Sequence, residues 1–137
     1  MPGVDLAGER LDGQNLSGAN LTGADLSWAS LVRADLTYAT LTDENLSGAD
    51  LRGANLSFAR VDGANLTGAD LAGANAYQAF MWRVNFLNSN LHATSFTDTQ
   101  LHYSNFSGAN IEGTIFAGSN LTGTILEDTE VDPDLGK

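Results

Sequence analysis

From Leu6 to Val131 every fifth residue is apolar, through 26 consecutive positions without a slip in register. The series runs Leu6, Leu11, Leu16 and onward through Val61, Ala76, Met81, Phe86, Phe96, Phe106, Ile111 and Phe116. A period of five matches neither the 3.6 of an α-helix nor the 2 of a flat strand. In the unit Ala64-Asn65-Leu66-Thr67-Gly68, an extended backbone points Ala64 and Leu66 to one side and Asn65 to the other. If Ala69 and Leu71 of the next unit are to face that same side, a corner must lie in the three steps from Leu66 to Ala69.

The residues at that corner agree. Of the 15 glycines, 13 stand two places after an apolar centre, from Gly8 to Gly123, and glycine tolerates the positive φ that tight turns demand. Asn or Asp precedes the centre in 16 of the 26 units, and these side chains bond readily to nearby backbone in turns. Each unit is therefore a very short strand plus a turn. It cannot bury its apolar side alone, so consecutive units must wind about one axis and stack. The expected class is all-β, a β-solenoid held by neighbour-to-neighbour contacts.

The runs Ala19-Asn20-Leu21-Thr22-Gly23, Ala49-Asp50-Leu51-Arg52-Gly53 and Ala69-Asp70-Leu71-Ala72-Gly73 resemble the pentapeptide-repeat family, in which Ala, Asp or Asn, and Leu precede two freer positions. The match spans residues 4–131. The resemblance implies a right-handed quadrilateral β-helix with four five-residue units per coil. The 26 units would then make about six and a half coils, a rod about 30 Å long at a strand spacing of about 4.8 Å.

A chain of 137 residues without a linker reads as one domain, with repeats over about 4–131 and a short acidic tail at 132–137. No apolar run reaches the length that a membrane-spanning helix needs, so no transmembrane helix is expected. Met1 to Asp5 pass at once into the repeat, so no signal peptide is expected. The absence of cysteine fits a cytoplasmic protein. A net charge of −11 argues against direct nucleic-acid binding. It allows the opposite reading, an acidic rod that imitates DNA, because the resemblance extends to acidic dimeric rods that occupy the DNA site of a type II topoisomerase and confer quinolone resistance. The distribution tests this: ten of the 17 acidic residues lie at or before Asp70 and five crowd between Glu127 and Asp134, leaving Asp98 and Glu112 between Leu71 and Leu126.

With four units per coil, every fourth unit stacks in the same column. One face then carries Arg60, Phe80, Trp82, Arg83, His102 and Tyr103, with Tyr38, Phe58, Tyr77 and Gln78 on the adjoining corner. Outward aromatics flanked by arginines have the composition of an interaction hot spot. The candidate partner-binding patch is Tyr38, Phe58, Arg60, Tyr77, Phe80, Trp82, Arg83, His102 and Tyr103. Structural self-packing is the alternative, through cation–π pairs Arg60–Phe80 and Arg83–Tyr103 or by aromatics turning inward beside the small centre Ala76.

The centres change to Phe in the second half, with Phe86 and Phe106 expected to stack on one face and Phe96 and Phe116 on the opposite one. The companion inward position shifts from Ala to Ser or Thr, as at Ser89, Thr94, Thr99, Ser104, Thr114 and Thr124, hydroxyls that need backbone partners. Glu44 falls at an inward position between Ala24 and Ala64, where burial is costly, and a local distortion is expected to release it.

No catalytic constellation is present. His92 and His102 are two units apart and so on opposite faces. His92 can at most form a solvated pair with Glu112, and a rod without a cleft lacks a water-excluding pocket. No enzyme activity, cofactor or metal is expected. Neither is membrane association. The expected partner is a protein, and the expected state is a monomer or weak dimer, since no apolar terminal segment drives association.

Overall fold

A computed structural model describes residues 2–129; the last centre Val131 and the acidic tail at 132–137 lie outside the described residues. The backbone forms single-residue parallel β-bridges, and all 21 of them join a residue to its counterpart four units on, from Asp5–Asp25 to Asn105–Ile125. That separation sets the coil length. It also sorts the bridges into four columns, beginning at Asp5, Arg10, Asn15 and Asn20, which are the four sides of a β-helix. No helix occurs among the described residues.

Nearly every corner is built alike, the Met81–Val84 corner being the clear exception. The N–H of the residue three after the centre donates to the centre's C=O, as from Ala69 to Leu66 at 3.0 Å. The third residue of the turn has positive φ at all 26 places from Gly3 to Asp128, 14 of them glycine and 12 not. This combination characterises a type II turn. The Asn or Asp ahead of the centre secures the corner from outside: Asn65 Oδ1 accepts both the Thr67 N–H at 3.0 Å and the Thr67 hydroxyl at 2.6 Å.

Inside, each unit contributes its centre and the small residue two places earlier. Leu21 to Leu71, with the alanines between them, are almost wholly buried. Phe86 stacks on Phe106 with centroids 4.8 Å apart and planes at 9°, and Phe96 on Phe116 at 5.6 Å and 13°. The two stacks meet edge-on. Ala76 is fully buried, and no neighbouring aromatic turns inward to assist it: Tyr77 and Phe80 remain exposed.

The inward hydroxyls find the partners they need, with one exception. Thr94, Thr99 and Thr114 donate to the carbonyls of Leu71, Ala76 and Leu91 in the coil before, at 2.6–2.7 Å. Ser104 does more. Its Oγ donates to Met81 C=O at 2.7 Å and accepts the Val84 N–H at 3.0 Å, standing between the two ends of that turn. Ser89 Oγ is buried and unpartnered.

Glu44 does not escape. It is 1% exposed, and the backbone keeps its register, since Asn65 N–H still donates to Glu44 C=O at 2.9 Å. The reason is a donor inside the wall. At the equivalent corners the turn N–H bonds the next coil, as from Gly3 to Thr22 C=O and from Asp43 to Asp62 C=O, whereas Gly23 N–H donates to Glu44 Oε1. Glu44 Oε2 has no partner. Burial pushes this carboxyl above its ordinary range, against the Gly23 hydrogen bond, with Asp43 and Asp25 adding to the upward shift.

Candidate functional site

The Asn20 column and the corners on either side of it carry every residue of the expected patch. Thr40, Arg60, Phe80 and Gln100 follow one another along the column. One flanking corner holds Tyr38, Phe58 and Tyr77, and the other Trp82, Arg83, His102 and Tyr103. The aromatic side chains form two groups. Tyr38 stacks on Phe58 with centroids 4.9 Å apart and planes at 10°, and Phe58 meets Tyr77 edge-on at 5.7 Å. On the other side Phe80 meets Trp82 edge-on at 5.8 Å, Trp82 stacks on His102 at 5.6 Å, and His102 meets Tyr103 edge-on at 5.6 Å.

Of the two expected cation–π pairs one forms. The Arg60 guanidinium carbon lies 5.7 Å from the Phe80 centroid, and its Nε is 4.0 Å from Asp62. Arg83 does not pair with Tyr103. The Tyr103 ring lies over Gly123 in the next coil, so close that a Cβ there would sit 2.4 Å from the ring. Trp28 covers Gly48 in the same way on a different corner. Side chains at these turn positions lie along the rod toward the next coil, where Trp28 and Tyr103 meet a glycine.

Four residues of the face share the backbone conformation of corners elsewhere on the rod, such as those at Trp28 and Arg33. Tyr38, Phe58, Arg83 and Tyr103 all occupy turn positions with φ near 60°, a left-handed conformation that is strained for a bulky L-residue. Glycine fills 14 such positions without strain. The core gains nothing from the aromatic alternatives, because their rings stay outside: Tyr38 is 63% exposed and Tyr103 60%.

Between the two aromatic groups runs a groove of about 290 Å³, lined by Phe58, Gln78, Phe80, Asp98 and Gln100. Asp98 and Gln100 stand outside the expected patch. The signal that points to them is their position in the same two columns: Asp98 follows Phe58 and Gln78, and Gln100 follows Arg60 and Phe80, one coil at a time. Arg52, outside this face, is engaged more firmly: it grips Asp50 through two hydrogen bonds of 2.8 and 2.6 Å, holding that carboxyl below its usual range.

The histidines do not cooperate. His92 and Glu112 make no ion pair among the described residues, and no group of three or more metal-ligating side chains gathers among them.

The pentapeptide-repeat family model matches this chain in eight copies, over residues 3–31, 29–68, 64–102 and 94–130. Among solved structures, a pentapeptide repeat protein from the cyanobacterium Cyanothece 51142 aligns with a TM-score of 0.68 at 22% identity, covering 95% of this chain and 89% of that one. A pentapeptide repeat protein of the Arabidopsis thaliana thylakoid lumen is 38% identical over 73% of this chain and 70% of its own, with a TM-score of 0.36. Full-length QnrB1, a plasmid-mediated fluoroquinolone resistance protein, is 19% identical over 95% of this chain and 92% of its own, with a TM-score of 0.44. No curated protein matches the chain by sequence. The likeness to the cyanobacterial structure is one of fold and implies a right-handed quadrilateral β-helix. With its five-residue register unbroken and its bridges joining each unit to the fourth one on, the chain belongs to the pentapeptide-repeat family.

Proposed function

We propose that this protein is a non-enzymatic interaction module, a rigid rod of about six and a half coils that presents its Asn20 face to a protein partner. The observation that carries this reading is the clustering of aromatic rings on one face, two of which, Tyr38 and Tyr103, stand exposed at turn positions where glycine would be free of strain. Strain retained without benefit to the core points toward function. Clustered aromatics with arginine beside them are the side chains that dominate protein interfaces, and the rod holds them without loss of backbone freedom on binding.

The DNA-mimic reading rests on the net charge of −11. It has less support, because the coils from Leu71 to Leu126 contain only two acidic residues and carry much of the aromatic face. The test is affinity capture from the native host with wild type and two double variants. Phe80→Ser/Trp82→Ser and Tyr38→Gly/Phe58→Gly should both stay folded and lose the captured partner. The second pair also relieves two strained turns. Capture that survives both pairs would remove the face from consideration.

A further inference from the structure

We infer that the groove between Phe58 and Phe80 receives an arginine side chain of the partner, with Asp98 as its counter-ion. This rests on the proposed binding face and names the chemistry that the face would recognise. Three observations on the groove converge.

The first is size. A volume of about 290 Å³ lies at the lower limit of pockets that take drug-sized ligands, so the space suits one long side chain rather than a cofactor. The second is the lining. Phe58 and Phe80 are aromatic, Gln78 and Gln100 carry amides, and Asp98 at the end of the groove carries a carboxylate. Gln78 donates its amide N–H to Tyr77 Oη at 3.2 Å, which keeps its carbonyl oxygen for another donor. A planar guanidinium stacks on aromatic rings and forks onto carboxylate and amide oxygens, and an ammonium does neither as well. The same face already shows this affinity in the Arg60 guanidinium over Phe80.

The third is charge. Asp98 is exposed and has no ion pair among the described residues; its carboxylate lies toward Gly118 and would turn back toward Gln78 to meet a cation in the groove. It is also one of only two acids between Leu71 and Leu126, so a negative charge stands at the groove in a stretch that otherwise nearly lacks them. The net charge of −11 would attract a basic partner from a distance, and Asp98 would fix where its cation settles. Arg60 opposes this, since a second cation over the same face is repelled. Asp62, 4.0 Å from Arg60, offsets part of that repulsion.

The experiment is an NMR titration of the full chain with N-acetyl-arginine methylamide, using the lysine and citrulline counterparts as controls. Millimolar binding should shift resonances of Phe58, Gln78, Phe80, Asp98 and Gln100 with arginine, less with lysine, and not with citrulline, which has the shape of arginine without the charge. Asp98→Asn should weaken arginine binding about fivefold. Arg60→Gln should strengthen it about twofold, a change that a merely structural role for Arg60 would not produce. Equal shifts from citrulline, or unchanged binding by Asp98→Asn, would overturn the inference. The proposed binding face is judged separately, by capture with Phe80→Ser/Trp82→Ser. Loss of capture there, with no arginine binding in the titration, would leave the face standing and remove only its arginine chemistry.

Discussion

Replacing Glu44 with alanine should stabilise the rod, and increasingly so as the pH rises. The wild-type carboxyl is buried with Oε2 unpartnered, and such a group costs about 1–3 kcal/mol. Alanine removes that cost and moves the Gly23 N–H from Glu44 Oε1 to Thr42 C=O, the bond made at the equivalent corners, an exchange of one hydrogen bond for another that is nearly neutral. Against this stands the loss of one buried methylene, about 0.8 kcal/mol. Ala24 and Ala64 occupy the adjacent coils at the same inward position, so alanine fits the wall. The net gain is about 0.2–2.2 kcal/mol, or up to about 6 °C in Tm for a chain of this size.

The pH dependence follows from the raised carboxyl. Between the ordinary carboxylate range and Glu44's higher folded value, the folded protein holds a proton that the unfolded chain has released. Stability therefore falls as pH rises through that window. Removing Glu44 removes this fall, so the difference between variant and wild type should widen from about pH 4 upward. Asp25, Asp35 and Asp50 are shifted downward and give the opposite slope, but they are common to both proteins and largely cancel in the comparison. Thermal unfolding of both proteins across a pH series measures it. A variant less stable than wild type throughout, or a gain independent of pH, would refute the reasoning.

Three further outcomes are expected. Phe106→Ala removes a ring that stacks on Phe86 and meets Phe96 and Phe116 edge-on, and urea unfolding should show a loss of about 3–5 kcal/mol. Ala93→Gly relieves a turn held at φ 56° and should stabilise the rod by about 0.5–1 kcal/mol in the same assay. Added at large excess to a gyrase supercoiling assay, the protein should leave the reaction unchanged; dose-dependent inhibition would restore the DNA-mimic reading.

The sequence made much of this architecture readable because a five-residue register leaves no freedom about which residues face inward. Leu66 and Ala64 had to point into the core, Asn65 had to point out, and the corner had to fall at Gly68. The four-unit columns also placed Phe58 beside Tyr38 and Arg60 beside Phe80. What could not be read depended on how individual side chains lie across the coils. Arg83 and Tyr103 are one coil apart in the same column, yet the Tyr103 ring spreads over Gly123 and leaves the arginine aside. Glu44 breaks the apolar rule of its column, but the Gly23 N–H that receives it is a backbone group and leaves no trace in the composition. The groove was hidden for the same reason. Its lining comes from two columns at once, Phe58, Gln78 and Asp98 on one and Phe80 and Gln100 on the other, a property of the assembled face rather than of any one repeat.

The central claim is that the exceptions to the repeat on the Asn20 face are the binding surface. Hydrogen–deuterium exchange on the captured complex tests it most directly, since each coil contributes separate peptides. The account predicts that slowed exchange on partner binding is confined to the turns at Tyr77–Arg83 and Asp98–Tyr103 and to the Tyr38 and Phe58 corner. Protection centred on the acidic side chains of the first coils, with the aromatic face unchanged, would contradict it.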